Sequence, residues 1–233
     1  MKLFTENRTA KEILINALLA SLGLFLFGAG VWLTITAGLG AAPWDVFCLG
    51  LSGTFGILYG NASIGISVIL LIIDILMKES IGIGLILDAV VVGKTVDLLN
   101  LLHPLSTPSS PVLAVIMLLA GIMIEVYSQY FYMKAALGCG PRDTLLVGLK
   151  RHLTKVPIGP INIVLMATVT FAGWLLGGPV GPATVICAFC TGPAMQFAFR
   201  TVRFDPTAVR HQTLPETVRV LLGRNRKNTG KGL

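Results

Sequence analysis

The sequence predicts an all-α polytopic membrane protein made of two inverted-topology repeats, each with three transmembrane spans and one short half-helix. Three observations predict it: apolar runs long enough to cross a bilayer, one motif that occurs twice, and basic residues confined to one side of the resulting topology. The alternative architecture is eight spans in two parallel repeats, reached if the short segments cross.

Of 233 residues, 54% are hydrophobic and 12% charged, where a soluble domain carries roughly 25% charged residues. The apolar residues are gathered in runs such as 13–35, 111–133 and 158–176. A helix needs about 20 residues to cross a hydrocarbon layer of roughly 30 Å. Transmembrane strands would alternate apolar and polar residues, and these runs do not.

Taken in order, a polar, basic segment leads into a first span over 12–35, which has no small-residue cleavage site and reads as retained. A Gly-rich break with Gly38 and Gly40 follows. The stretch 43–52 is too brief to cross, and Pro43 suits the first turn of a helix, with Asp45 at its positive end. After a second break at Gly60 come spans over 61–77 and 81–102, closing a first repeat of residues 1–102. Residues 103–110 form a Pro/Ser-rich linker. The second repeat, 111–199, has spans over 111–133, 158–176 and 180–199, with Gly138, Gly140, Pro141 and Asp143 repeating the break and the short helix. A basic tail, 200–233, follows.

The repeat is visible without gaps between residues 37–51 and 135–149, where seven of fifteen positions are identical, including both Pro-x-Asp triplets. With one residue of slippage, Gly60, Gly82, Ala89 and Gly93 then fall on Gly159, Gly181, Ala188 and Gly192. Interrupted helix is tolerated at membrane depth only where protein or a water-filled cavity covers the free backbone groups. Three spans per repeat is an odd number, so the second copy sits upside down relative to the first.

Charge agrees with that arrangement. With the N-terminus inside, the outer connections 36–60, 103–110 and 177–179 contain no Lys or Arg. Lys78, Lys134, Arg142, Lys150, Arg151, Lys155 and both termini fall on the inner side, and Lys94 alone lies within a span, as the positive-inside rule requires. Crossing short segments would move Lys78 and Lys134 outside. The expected location is the bacterial cytoplasmic (inner) membrane, multi-pass, with both termini cytoplasmic. Most of the net charge of +7 sits in the tail, which reads as a juxtamembrane basic segment for anionic headgroups and not as a nucleic-acid site.

The paired elements Gly38-Leu-Gly40-x-x-Pro43-Trp44-Asp45 and Leu137-Gly138-x-Gly140-Pro141-Arg142-Asp143 resemble the YczE/YitT type of bacterial membrane protein. Gly93 to Asp97 is similar to the Gly-x-x-x-Asp that closes that family's third span. The likeness covers roughly residues 12–200. It implies a transporter-like protein with small-molecule export suggested, and names no substrate. Lys94 departs from the apolar residue or Pro expected there; Pro193 holds that place in the second copy.

An ionisable group inside a span costs at least about 2.5 kcal/mol on insertion scales, so each needs a partner, a water path or a task. Asp88, Lys94 and Asp97 lie on the third span; Glu125 lies on the fourth, with Gln129 one turn away. Lys94 and Asp97 can pair at i and i+3, or Asp97 or Glu125 can carry a proton. Asp45 and Asp143 are either helix-end acids satisfying amide donors or symmetry-related members of a pathway. Arg142, which replaces Trp44 in the second copy, could hold Asp143 or face lipid phosphates. Asn61 and Asn162 are expected as N-caps, and Trp32, Trp44, Trp174, Tyr127, Tyr130 and Tyr132 as interfacial anchors or cavity lining.

Cys48, Cys139, Cys187 and Cys190 read as buried packing residues, with Cys187 and Cys190 on one helix face. No metal site, no cofactor and no enzymatic activity is expected: the chain carries no phosphate-cradling Gly-rich loop and no His-Glu-x-x-His. The expected partners are the lipid bilayer, an unknown small-molecule substrate and a possible second copy, with no nucleic acid.

The leading functional expectation is a secondary, proton-coupled transporter or exporter of a small molecule. The excess of Asp45, Asp88, Asp97, Asp143 and Glu125 over Lys94 and Arg142 favours cationic cargo or proton exchange. The alternatives are a passive channel and a non-transporting scaffold that docks a cytoplasmic partner through Lys150 to Lys155 and the tail, whose Pro215 and Glu216 open a short surface helix before Arg224, Arg226, Lys227 and Lys231.

Overall fold

The computed structural model describes residues 9–205, 209 and 211–221, and among these every regular element is an α-helix. In chain order they are α1 (Ala10–Thr36), α2 (Pro43–Phe55), α3 (Tyr59–Leu76), α4 (Ile83–Leu102), α5 (Pro111–Ala135), α6 (Pro141–His152), α7 (Ile158–Leu175), α8 (Pro182–Thr201) and α9 (Leu214–Leu221). Local chemistry sets their starts. Thr9 and Glu12 form a reciprocal capping box on α1, with bonds of 2.7 and 3.3 Å. Pro43, Pro111, Pro141 and Pro182 open α2, α5, α6 and α8, where a missing N–H costs nothing.

Five helices, α1, α3, α5, α7 and α8, are long and apolar enough to cross a membrane. The expected third span is not among them. α4 has 20 residues, but Asp88, Lys94 and Asp97 interrupt its apolar face. α2 and α6, of 13 and 12 residues, rise roughly 18–20 Å and fall well short of a roughly 30 Å core.

Helix α1 lies along α5 through small residues. A side chain at Gly30 would run into Glu125 and the Gly121 backbone, and one at Gly121 into Thr34. Such contacts let two helix backbones approach closely, the common mode of association in lipid. Around this pair the packing occurs twice. α1 packs on α4 as α5 does on α8, and α2 packs on α7 as α6 does on α3. Gly40 abuts Gly181 as Gly138 abuts Gly82. Both Gly40 and Gly138 have positive φ, +100° and +122°, in addition to this backbone contact, so glycine is required there twice over. The accompanying bonds match as well: Ala183 N–H donates to Leu39 C=O at 2.9 Å, and Gly84 N–H to Leu137 C=O at 2.8 Å.

One pair of contacts is not duplicated. α3 and α4 meet at Gly60 and Gly93, whose backbones touch, whereas the corresponding Gly159 and Gly192 have no neighbour within 4 Å. A cavity of about 450 Å³ lies between α7 and α8 instead.

The described part of the tail turns back onto the bundle. Leu214 N–H donates to Ile81 C=O at 2.7 Å and Gln212 N–H to Ala136 C=O at 2.9 Å, which docks α9 against the loops preceding α4 and α6. Arg224, Arg226, Lys227 and Lys231, like residues 1–8, lie outside the described residues.

Candidate functional site

The two short helices meet at their first turns. Arg142, the second residue of α6, reaches across to α2. Its guanidinium lies 3.8 Å from Asp45 Oδ1, over the Trp44 ring at 5.2 Å, and 3.9 Å from Cys48 Sγ. It neither turns to lipid phosphates nor takes Asp143 as its ion-pair partner, as the sequence suggested. The charge belongs across the seam between the copies.

Asp45 does not cap its own helix, since α2 has no side-chain cap. It accepts a hydrogen bond of 2.8 Å from Tyr59 Oη on α3 and is 3% exposed. On α5 is Glu125, 8% exposed, 3.4 Å from the Thr34 hydroxyl oxygen, whose proton is donated to Val31 C=O at 2.8 Å. Among the described residues no cation lies within ion-pair distance of Glu125. Arg142 and Asp45 both act on it electrostatically.

On the other side of Arg142 are Asp88 and Asp143, both within reach of its charge and of one another. Asp88 lies against Gly140 and so at the positive end of α6; a Cβ at Gly140 would come within 3.0 Å of its carboxylate. Asp143, in the first turn of α6, has an exposed side chain. Tyr132, buried beside this pair, has a hydroxyl without a hydrogen-bond partner.

The structure therefore gathers Asp45, Asp88, Glu125, Arg142 and Asp143, with Pro43, Trp44, Gly140 and Pro141 forming the turns that carry them. Four carboxylates face one guanidinium. Gly38 and Gly40, and Gly138 opposite, shape the breaks that let these turns sit inside the bundle.

Lys94 and Asp97 form a second group. Lys94 Nζ lies 3.2 Å from Asp97 Oδ2 and donates at 2.7 Å to Asn61 Oδ1, and Asp97 Oδ1 accepts from Gly60 N–H at 2.8 Å. The i,i+3 pair forms as expected and pins the start of α3 to α4. Asn61 is not the expected N-cap, because α3 starts at Tyr59 and the Asn61 amide serves Lys94. Asn162 likewise is not the cap of α7, whose N-cap is Pro157. The two groups touch through the first turn of α3, where Tyr59 serves Asp45 and Gly60 serves Asp97. Gln129 is half-buried on α5 beyond Glu125. Gly93-Lys94-Thr95 has the letters that end a phosphate loop, but it lies mid-helix, with the Thr95 hydroxyl donating to Val91 C=O at 2.7 Å.

Several participants escape a reading of the sequence. Tyr59 looks like an interfacial aromatic and Thr34 like any span hydroxyl. Asp74 on α3 is fully buried with neither oxygen hydrogen-bonded; it is an acid inside a span, the signal that singled out Glu125. It lies near Glu79, which Arg151 approaches at 3.1 Å. Trp32 and Trp44 are buried in the protein, Trp32 Nε1 donating to Asn100 Oδ1 at 2.9 Å. Trp174 is exposed. Cys48 and Cys187 are buried; Cys190, one turn on from Cys187 along α8, is exposed and not the buried packing residue expected. Among the described residues no group of three or more His, Cys, Asp or Glu could hold a metal ion.

A family model described as a family of unknown function, DUF6198, matches residues 14–200. A Bacillus subtilis protein described as uncharacterized membrane protein YczE is 32% identical over 179 residues, covering 76% of this chain and 81% of the relative. A Haemophilus influenzae protein is 31% identical over 193 residues, covering 83% and 86%, and Bacillus subtilis YyaS is 28% identical over 184 residues, covering 78% and 90%. No solved structure matches. With its apolar helices and its match over most of its length, the chain is a membrane protein belonging to the DUF6198 family, of the YczE type.

Proposed function

We propose that the protein is a secondary transporter of a small molecule in the bacterial cytoplasmic membrane, coupled to protons, with six spans and two half-helices arranged as inverted repeats. The observation that carries this reading is the approach of two interrupted helices, from corresponding places in the two copies, at a group of four carboxylates and one arginine of which Asp45 and Glu125 are buried. Broken helices at corresponding places of two halves mark the binding site of many transporters, because their free backbone ends supply charge complementarity at the midplane.

The chemistry follows from burial. A carboxylate held in low dielectric without a cation is costly in its charged form. Glu125 has only the neutral Thr34 hydroxyl beside it, so it can alternate between carrying a proton, which that oxygen can accept, and facing a cation. Arg142 fixes the ground state of Asp45, and Asp88 and Asp143 offer a second pair within reach of the same charge. α4 is the sixth span in this reading, its three ionisable residues turned toward protein contacts. The absence of loop Lys and Arg on one side supports both termini being cytoplasmic. Neither enzymatic turnover nor a resident cofactor has a part in this reading.

Flux in proteoliposomes tests it. Purified protein is reconstituted with a pH-sensitive dye inside, and small organic cations are added against an imposed proton gradient. Proton movement that depends on the added cation, and falls at least about tenfold in Glu125→Gln, supports the reading. No flux with wild type, or flux unchanged in Glu125→Gln, contradicts it. Cation currents that ignore the proton gradient would select a channel.

A further inference from the structure

Helices α3 and α7, at corresponding places in the two copies, end in the same turn. After α3, Lys78 stands at φ +60°, Lys78 N–H donates to Ile75 C=O at 3.0 Å and Glu79 N–H to Asp74 C=O at 2.9 Å. After α7, Gly177 stands at φ +82°, Gly177 N–H donates to Trp174 C=O at 2.9 Å and Gly178 N–H to Gly173 C=O at 2.8 Å. The repeat therefore sets Asp74, Lys78 and Glu79 in the places of Gly173, Gly177 and Gly178. Glycine suits the left-handed residue of such a turn and lets a neighbour pack directly on the backbone. Three charged residues offer neither advantage.

The difference changes how the two half-helices are seated. Where α2 meets α7, backbone lies on backbone: a Cβ at Gly173 would strike Phe47, and one at Gly178 the Val46 carbonyl. Where α6 meets α3, the half-helix rests on side chains. A Cβ at Gly148, the counterpart of Gly50, would come within 3.0 Å of Met77 Cε and 3.1 Å of Glu79 Cγ. Beneath α6, Asp74 is fully buried and Glu79 is 8% exposed, and both Asp74 oxygens and Glu79 Oε1 are buried without a hydrogen-bond partner.

One cation serves these two acids. Arg151, in the last turn of α6, brings Nη1 to 3.1 Å from Glu79 Oε1. Lys150 is committed to the Thr154 and Val156 carbonyls and His152 Nδ1 to the Gly148 carbonyl, while Lys78 is exposed. Asp45 on α2, and Lys94 and Asp97 on α4, meet the other end of α3 at Tyr59, Gly60 and Asn61. Asp88 lies by the start of α6, where Arg142 and Asp143 stand. A carboxylate buried without a donor is costly, and two that share a site do not both ionise. A metal ion fits poorly, since it takes more oxygens than two side chains supply and Arg151 already faces Glu79.

We propose that Asp74 and Glu79 bind one proton between them, exchanged with water at that end of α3, and that this proton keeps α6 seated. With the proton released, two adjoining anions share one guanidinium and the α3–α6 contact loosens. The proposal goes beyond the transporter reading and depends on neither flux nor Glu125. Its consequence is that the half-helix carrying Arg142 in its first turn is held by a protonated site at its last.

Infrared spectra of the full chain in nanodiscs test it, because a protonated carboxyl and a carboxylate absorb apart. Near neutral pH, where an ordinary aspartate is ionised, wild type minus Asp74→Asn should show one protonated carboxyl, shifted in heavy water, and no carboxylate. Glu79→Gln should abolish that band, since Asp74 then ionises against the glutamine amide. Spin labels at the exposed Leu76 and Leu153 report the contact: their separation should grow as rising pH removes the band, and stay short at every pH in Asp74→Asn. A carboxylate band in place of the protonated one would overturn the proposal. So would a protonated band that survives Glu79→Gln, or a separation that stays constant while the band disappears. Absence of flux in proteoliposomes would overturn the transporter reading and leave this one standing.

Discussion

The seam between α3 and α4 and the seam between α7 and α8 occupy corresponding places in the two copies, yet one is shut and the other is open. Both have the small residues needed to close: Gly60 and Gly93 in the first, Gly159 and Gly192 in the second. They differ in what surrounds those glycines. Asn61, Lys94 and Asp97 clamp the first seam through two hydrogen bonds across it, Lys94 to Asn61 and Gly60 N–H to Asp97, tied together by the Lys94–Asp97 ion pair, and their places in the second copy are held by Pro160, Pro193 and Gln196. Small residues permit close approach of two helices; the polar clamp holds it. The open seam is the one that borders the α7–α8 cavity, and the closed one is one residue from Tyr59 and the Asp45–Arg142 pair.

The largest expected effect comes from forcing the closed seam apart. A β-branched side chain in Gly60→Val would overlap the Asp97 carboxylate and the Gly93 backbone, and over-packing of this kind costs about 1–3 kcal/mol or more. A fall in melting temperature of several degrees checks it, and Gly159→Val, with open space around it, should fall much less. Next is Asp97→Ala, which leaves the Gly60 N–H without its acceptor and Lys94 with Asn61 alone. Hydrogen bonds to a charged group contribute about 1.5–3 kcal/mol, so denaturation in detergent should register a loss at the lower end of that range. Lys94→Met should cost less, because Asp97 keeps the Gly60 N–H as its donor and the seam keeps that bond. The smallest effect is expected for Gly192→Ala on the open seam. It meets no atom within 4 Å, so stability should change by no more than about 0.5 kcal/mol, and a large loss there would show that the two helices are in contact in the membrane.

Much of this architecture was legible in the sequence because membrane crossing and repetition are written in local patterns. The apolar runs gave the long helices to within a few residues, and the doubled Pro-x-Asp gave the two short ones. Pairing across the copies was not legible. Nothing local distinguishes an Arg142 that faces lipid from one that reaches Asp45, since the choice depends on how α2 and α6 pack. Asn61 looked like a cap for the same reason: its real partner is thirty-three residues away, on α4. The open seam was also hidden, because Gly159 and Gly192 carry the spacing of a tight contact without making one. Asp74 was different. Its charge within an apolar run is visible in the sequence, and only its burial without a partner required the structure.

If the two seams are one gate in two states, distances across them should exchange. Spin labels at Val68 and Val90 report the α3–α4 seam, and labels at the corresponding Ala167 and Phe189 report the α7–α8 seam. In nanodiscs, pulsed electron resonance should find the first pair mainly close and the second mainly far, with minor populations of the opposite kind. Lowering the pH from about 8 to about 5.5 should shift both sets in opposite directions, and Glu125→Gln should remove the response. A single unchanging distance in each pair at both pH values would contradict alternation of the two copies.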